Sequence, residues 1–384
     1  MDANGIDNEW ANFLNDSDKF ESVITNESET TNTNIKCTDL YISTKTKIAF
    51  LNTEIDIHKL FWIIPIVPYF LPQNGVIKKQ IKTTTFSKEE SEQIDEKIKS
   101  EKLYKQTVLS HLDNPTSKAD TTYKHVQKLS VGTSKKDFIT FRTKEKGAFY
   151  NCFALIFRIF FKGEYKEVHI KVFNTGKLEI PGIQDNDIMY IAIDHLISIL
   201  QPHVETKLYV DNSKIDTVLI NSNFNCGYYI NRQKLFTRLK FHFGLISMFD
   251  PCSYPGIQSK FYFNRNKPIQ DGICQCSSKC SKKGKGNGHG DCMEVSFMIF
   301  RTGSVLVVGN CDEVTLFKIY DFIKKILIDE FHNVNEGIIT NNTKKKSVKK
   351  IKKYTIFLTN EDYTSQLQGK ENIQCAGDGA AAGL

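Results

Sequence analysis

The feature that most constrains this chain is a pattern that occurs twice. Val172-Phe173-Asn-Thr-Gly176-Lys-Leu-Glu-Ile-Pro-Gly182 aligns with Ile299-Phe300-Arg-Thr-Gly303-Ser-Val-Leu-Val-Val-Gly309. In the first copy the residues before the turn alternate, Phe153, Leu155, Phe157, Ile159 and Phe161 and then Val168, Ile170 and Val172, which is the period of strands. Gly163-Glu164 turns the chain between them, so the spacing predicts an antiparallel meander. After the motif, Ile188, Ile191, Ala192, Leu196 and Ile199 share one helical face, with Asp185 or Asp187 as cap and Pro202 as the stop. The second copy repeats this order. A strand begins at Val218–Ile220, a helix is predicted over Asn231–Leu245, and strands over Ser259–Asn264, Val295–Arg301 and Val305–Val308. A final helix, Val314–Phe331, sets Leu316, Ile319, Ile323, Ile326 and Leu327 on one face. Strand–turn–strand–helix is a common module, so chance likeness is the competing reading. The same order met twice, about 127 positions apart, argues for tandem duplication.

The rest of the chain hangs on these repeats. Ile42 to Leu71 reads as a strand and then a short helix capped by Asp56 and ended by Pro65 and Pro68. Residues 85–147 are highly charged with little periodicity and are expected to be an insertion, part helix and part mobile loop. The domain reading is therefore a disordered acidic arm over 1–36 and a first repeat over 37–203 with its insertion at 85–147. A second repeat follows over 204–332, interrupted by a Cys/Gly/Lys-rich insertion at 265–292, and a basic, mostly flexible tail over 333–384. Charge follows the same division. Residues 1–36 hold eight acids against Lys19 and Lys36, a net of −6, so the remainder carries +13 of the formal +7 total and favours a polyanionic partner. No apolar run has the roughly 18–20 residues that span a bilayer, and the polar N-terminus does not read as a secretory signal. The expectation is a soluble, intracellular protein with no membrane role.

With these motifs in hand, the chain resembles the TATA-box-binding protein family. Phe249-Asp-Pro-Cys-Ser-Tyr254-Pro-Gly256-Ile257 is similar to that family's Tyr-Glu-Pro-Glu-Leu-Phe-Pro-Gly-Leu segment, and Met298-Ile-Phe300-Arg-Thr-Gly303 to its Leu-Ile-Phe-x-Ser-Gly. In the first repeat Phe70-Leu-Pro72 fits Tyr-Asn-Pro, and Val172-Phe173-Asn-Thr-Gly176-Lys177 fits Ile-Phe-Ser-Ser-Gly-Lys. The resemblance covers roughly 37–84 and 148–332. High Lys, Ile and Asn usage suggests a viral or parasite relative. The resemblance implies an α+β fold: a tandem-repeat saddle, a curved antiparallel sheet with helices on the convex face. The concave face would engage the minor groove of AT-rich double-stranded DNA, with aromatic wedges unstacking base steps and cations on the phosphates. Carried over by position, the wedges are Tyr254 and Phe300 in repeat two and Phe173 in repeat one, the fourth falling at Gly75. Lys177 and Arg301 flank them. Pro181 and Val308 replace threonines of the family, and Thr217 is the alignment for the central asparagine of repeat two, the register in repeat one being open. A Phe on a strand is more often core than contact. The turn motif after Phe173 and Phe300 weakens that reading to about even, and Tyr254 stands in a Pro-rich loop.

Two further constellations remain. Cys274, Cys276, Cys280, His289 and Cys292 offer five ligands within a Gly-rich stretch, where one Zn2+ would need four in a tetrahedron. A flexible Lys-rich loop with incidental thiols, and redox pairing, are the other readings. Lys344–Lys346, Lys349, Lys350, Lys352 and Lys353 form a cationic run that suits phosphate binding, nuclear import or a solvated tail. No GxSxG, HExxH, Walker element or carboxylate pair accompanies them, and the chain is not expected to be an enzyme. The leading expectation is a general transcription initiation factor that recruits a transcription factor IIB-like protein and RNA polymerase, acting as a monomer in a host nucleus or, if viral, a cytoplasmic viral factory. The alternative is a saddle-fold scaffold or non-specific DNA-packaging protein, and a weaker third is an accessory domain of a DNA-repair enzyme or nuclease.

Overall fold

A computed structural model describes residues 36–114, 123–139, 149–266, 268–274 and 292–338. The acidic arm to residue 35, the centre of the second insertion and the cationic run at 344–353 lie outside them. The elements run β1 (Tyr41–Phe50), α1 (Ile57–Ile63), β2 (Gly75–Thr85), α2 (Lys88–Lys99), β3 (Tyr104–Asp113), β4 (Tyr123–Gly132), α3 (Lys135–Ile139), β5 (Cys152–Phe161), β6 (Glu164–Phe173), β7 (Lys177–Ile183) and α4 (Asn186–Leu200). They continue as β8 (Asp216–Asn225), β9 (Tyr228–Ile230), α5 (Arg232–Thr237), β10 (Ile246–Met248), β11 (Ile257–Asn264), β12 (Cys292–Ile299), β13 (Ser304–Gly309), α6 (Glu313–Asp329), α7 (Phe331–Val334) and β14 (Asn335–Ile338). The fold class is α+β, a tandem repeat of antiparallel sheet and helix.

The chain divides into two compact units. The second-repeat unit comprises the described residues of Met1–Ile48, Pro181–Asp185 and Ser213–Ser347, and the first-repeat unit those of Ala49–Ile180 and Asn186–Asn212. The division differs from the sequence reading of 37–203 and 204–332 because β1 pairs with β8, from Tyr41 opposite Asn223 to Ile48 opposite Asp216. In the second-repeat unit the strand order is β10-β11-β12-β13-β8-β1, and in the first-repeat unit β7-β6-β5-β2-β4-β3.

In the second-repeat unit, Ile257, Phe261, Val295, Phe297, Ile299, Val305, Val307, Ile220 and Phe224 project from one sheet face. Leu316, Ile319, Tyr320, Ile323, Ile326 and Leu327 of α6 cover it, each fully buried apolar side chain contributing roughly 2 kcal/mol. Asp312 starts α6 by accepting a hydrogen bond from Thr315 N. The first-repeat unit buries Phe153, Leu155, Phe157, Ile159, Val168, Ile170 and Val172 from its sheet and Met189, Ala192, Ile193 and Leu196 from α4.

The duplication is legible in backbone hydrogen bonds. Gly176 N donates to Phe173 O, Leu51 N to Gly176 O and Ile55 N to Asn174 O; Gly303 N donates to Phe300 O, Cys226 N to Gly303 O and Ile230 N to Arg301 O. Asp56 and Asn231, one residue on from Ile55 and Ile230, both cap helices. Gly176 and Gly303 both hold φ +76°, and a Cβ on either would lie 2.4 Å from a carbonyl oxygen, of Thr53 and Tyr228 respectively. Glycine is required there by handedness and by space.

The first insertion is more ordered than its composition predicts. Its described part builds β3, β4, α2 and α3, and β2 and β4 pair along their length. Ser87 caps α2 through Glu90 N, and Glu90 reaches back to Phe86 N. Gln106 and Gln127 share Asp95, and the buried Lys79 ammonium donates to Ile64 O and to Glu101. Burial lowers the pKa of Lys79, and Glu101 opposes that effect. The side of β2–β4 that faces α2 therefore mixes polar groups with buried Ile81, Leu129 and Val131, which blurs its hydrophobic periodicity.

Candidate functional site

Strand alternation leaves each sheet with a second face away from its long helix. In the second-repeat unit this open face carries Gln258, Lys260 and Tyr262 from β11, Ser296 and Met298 from β12, Ser304, Leu306 and Val308 from β13, and Leu219, Asn221, Asn223 and Asn225 from β8. The register aligns Gln258, Met298, Leu306 and Asn223 in one row and Lys260, Ser296, Val308 and Asn221 in the next. Val308 is 9% exposed. Asn221 donates to Thr44 Oγ1 at 3.0 Å, and its Oδ1 is buried with no hydrogen-bond partner. The asparagine row escaped the motif comparison. Its signal was an Asn at every second position of Ile220–Asn225. Thr217 does not join the row, because a register shift between Thr46 and Lys47 sets it opposite Lys47, past the end of the regular alternation.

Phe300 follows Met298 on the open-face side, and Tyr254 sits 6.0 Å from it, ring to ring. The two predicted partners are thus together. The expectation that Phe300 presents itself to a ligand needs correction: it is 3% exposed. The Tyr254-Pro-Gly256 loop packs on it. A Cβ at Gly256 would stand 2.5 Å from Phe300 Cε1, so only glycine lets the backbone cross the ring this closely. Tyr254 is half-buried, and burial pushes its phenol up to about 12. Arg301, beside the pair, is exposed, stacks 5.6 Å from the Tyr229 ring and reaches Glu336 at 3.6 Å.

In the first-repeat unit Phe173 is half-buried on the corresponding face, with Lys177 Nζ 5.4 Å from its ring centroid. Gly75 is not its partner. Phe153 opposes Val172 and Ile257 opposes Ile299, so counting back from each makes Tyr150 the equivalent of Tyr254. Gly75 lies instead opposite Arg158, toward the other end of β5. Tyr150 is 56% exposed, with Lys82 Nζ 3.4 Å from its ring centroid, and Lys171 Nζ stands 4.4 Å from that of Phe149. The alignment missed Tyr150 because the insertion separates it from the Pro72 motif used as anchor.

The two open faces differ toward the far end. In the first-repeat unit α3 crosses the sheet there: Asp137 pairs with Lys78 at 2.6 Å and Lys135 N donates to Glu167 at 2.8 Å. Arg158 donates to the carbonyls of Tyr69, Leu71 and Gln73, folding that loop over the same end. His169 is consequently held neutral, its pKa lowered to about 4 by burial and by Lys136, Lys78 and Lys171.

Of the predicted metal ligands, Cys276, Cys280 and His289 lie outside the described residues. Cys274 and Cys292 bring their sulfurs to 3.8 Å. Among the described residues no group of three His, Cys, Asp or Glu side chains is placed to hold a metal ion, and no helix is long and apolar enough to cross a membrane. Chemically, these faces offer amide donors, apolar surface, aromatic edges and lysines, which suits a broad ligand rich in acceptors and negative charge.

No family model matches the sequence. A curated protein of Acanthamoeba polyphaga mimivirus described as TATA-box-binding protein-like is 23% identical over 218 residues, 50% of this chain and 53% of that protein. The chain thus matches about half the length of that relative. Among solved structures, the Methanococcus jannaschii TBP is 11% identical and covers 76% of this chain and 99% of its own, with a TM-score of 0.36. The chain resembles the TATA-box-binding protein-like proteins, in keeping with the motifs around Tyr254, Phe300 and Phe173.

Proposed function

We propose that the chain is a DNA-binding transcription initiation factor that lays its open sheet faces on the minor groove of AT-rich duplex DNA. The observation that carries this is the Tyr254–Phe300 contact together with the register equivalence of Tyr150 and Phe173 to those two residues, beside a Gly turn that recurs hydrogen bond for hydrogen bond. The minor groove at A·T pairs shows only acceptors, which the amides of Asn221, Asn223 and Gln258 can meet as donors. Aromatic side chains entering a base step repay the unstacking by wrapping more surface. Val308, Lys177 and Arg301 border this surface. No catalytic step is assigned. The factor acts as a monomer in a host nucleus or viral factory, and recruits a transcription factor IIB-like protein and RNA polymerase. Val314 and Phe317, exposed on α6, offer such partners an apolar contact. Gel shifts on AT-rich and GC-rich duplexes across a salt series test the reading. Binding with AT preference supports it, and equal affinity for both duplexes overturns it.

A second reading rests on the buried Phe300 and on α3 lying across the first-repeat face: a scaffold that kept the fold without promoter specificity. The same gel shifts separate the two. The 3.8 Å between Cys274 and Cys292 matches the edge that a sulfur tetrahedron around zinc would have, where Zn–S is about 2.3 Å. We propose one Zn2+ held by these two with ligands from Cys276, Cys280 and His289. Metal analysis of protein purified without chelator should give about one equivalent, lowered by Cys276→Ser; no stoichiometric metal in the parent rules it out.

A further inference from the structure

Residues 36–38, which lead out of the acidic arm, are pinned to the end of β8. Thr38 N donates to Asn225 O at 2.8 Å, Asn225 N to Thr38 Oγ1 at 2.9 Å and the Tyr320 hydroxyl to Thr38 O, and Cys37 is buried. A Cβ on Gly227 would stand 3.2 Å from Lys36 O, and one on Gly303 2.4 Å from Tyr228 O. The arm therefore joins the second-repeat unit beside the turn that carries Phe300 and Arg301.

Two features meet at that end. Arg232 lies over the Phe249 ring and donates to Pro255 O. Burial and then the Arg301 charge lower its pKa, with Glu336 opposing them. Two guanidiniums thus crowd together, with the Glu336 carboxylate 3.6 Å from Arg301. The second feature is the open-face row of Met248, Gln258, Met298, Leu306, Asn223 and Tyr41, which holds no charged side chain. Tyr41 and Met248, at its two ends, are exposed.

Residues 1–35 offer the complement. They hold eight acids against Lys19, and Ile6, Trp10, Phe13 and Leu14 fall at i, i+4, i+7 and i+8, the spacing of one helical face. Length is no obstacle. The row crosses six strands, about 24 Å at roughly 4.8 Å per strand, whereas the chain from Leu14 to Lys36 can span up to about 70 Å.

We infer that residues 1–35 dock on the second-repeat open face, the stripe from Ile6 to Leu14 along the Tyr41–Met248 row and the acids at Arg301 and Arg232. The docking stands on charge, spacing and the point of exit; that it competes with DNA rests on the proposed minor-groove reading. A segment tethered in this way acts at an effective concentration of about 1 mM. Even a contact with a Kd of about 0.1 mM would then cover the face about nine-tenths of the time and weaken apparent DNA affinity about tenfold.

The test uses the full chain and gel shifts on an AT-rich duplex at low salt. Trp10→Ala/Phe13→Ala/Leu14→Ala leaves every charge in place and should tighten DNA binding about tenfold. A thermal melt checks that this variant is folded. A labelled peptide of residues 1–35 should bind the same variant with a Kd of about 0.1 mM, and added salt or AT-rich duplex should release it. Arg301→Gln in that background should weaken the peptide about threefold, and a peptide of scrambled order should bind more weakly than the native one. Equal DNA affinity of the parent and the apolar variant overturns the docking, and AT preference in both then leaves the minor-groove reading standing. Native and scrambled peptides that bind alike overturn it too, since the arm would then act by net charge alone. Inhibition that grows with protein concentration would set the arm on a second copy and overturn docking within one chain. If no form of the chain prefers AT-rich DNA, the minor-groove reading fails, and the peptide titrations decide the docking by themselves.

Discussion

The two repeats share a turn and a register and differ in where they grew. The second takes its extra residues between β11 and β12, inside a hairpin, and its sheet stops at the short β10. The first takes them between β2 and β5, at the sheet edge, where an unpaired row of backbone groups can accept another strand. Hairpin growth leaves the sheet as it was, whereas edge growth enlarges the surface that the sheet can present. The aromatic pairs diverge with it. Around Phe300 the loop closes over the ring; near Phe173 Tyr150 is exposed, with Lys82 against it. A repeat can therefore keep its geometry while one copy becomes core-like and the other surface-like.

The contrast breaks most easily at those pairs. Phe300→Ala removes a buried ring and should destabilise the second-repeat unit by about 3–4 kcal/mol, visible as an earlier transition in denaturant. Tyr150→Ala should leave the melting curve where it was. Equal sensitivity at the two positions would mean that the pairs are not differently buried.

Next in size is the turn glycine. Gly176→Ala and Gly303→Ala should each cost about 2–3 kcal/mol, from positive φ and from the carbonyl that a Cβ would meet. Because both turns have the same geometry, the losses should match within about 1 kcal/mol. A large loss at one and none at the other would dissolve the equivalence of the repeats.

What the sequence made legible follows the same division. Asp56 as a cap, the alternation of Phe153 to Phe161, the two Gly turns and the face of α6 were all readable, because apolar spacing reports a face buried against apolar neighbours. β4 was not readable, because its helix-facing side mixes the hydrogen-bonded His125 and Gln127 with Leu129 and Val131, and Val126 and Ser130 are buried on its other side, so no period-two contrast survives. Tyr150 was hidden by the insertion that separates it from its motif. The burial of Phe300 was hidden because alternation assigns a side of a sheet and cannot see a loop folding over that side.

The smallest effect expected is one of pH. His169 in the fold titrates near 4 against an ordinary 6.5, so the unfolded chain binds its proton first. The stability held by the neutral ring is full above pH 6.5 and is lost as pH falls toward 4, about 1–2 kcal/mol by pH 5. His169→Gln should flatten that acid dependence in the first-repeat unit and leave the second untouched. Denaturant midpoints at pH 7 and pH 5 check it, and an unchanged slope with pH in the variant would place the acid sensitivity elsewhere.

The central claim is that the two repeats set aromatic residues in equivalent positions toward DNA, Tyr150 and Phe173 in the first and Tyr254, backed by the buried Phe300, in the second. The direct measurement is fluorescence transfer across an end-labelled AT-rich duplex bound by the parent, by Tyr150→Ala/Phe173→Ala and by Tyr254→Ala. The account predicts a bend in the parent that each variant reduces by a comparable amount, while low-salt affinity, which is phosphate-driven, stays within a few-fold. A bend that survives loss of Tyr150 and Phe173 unchanged would contradict it.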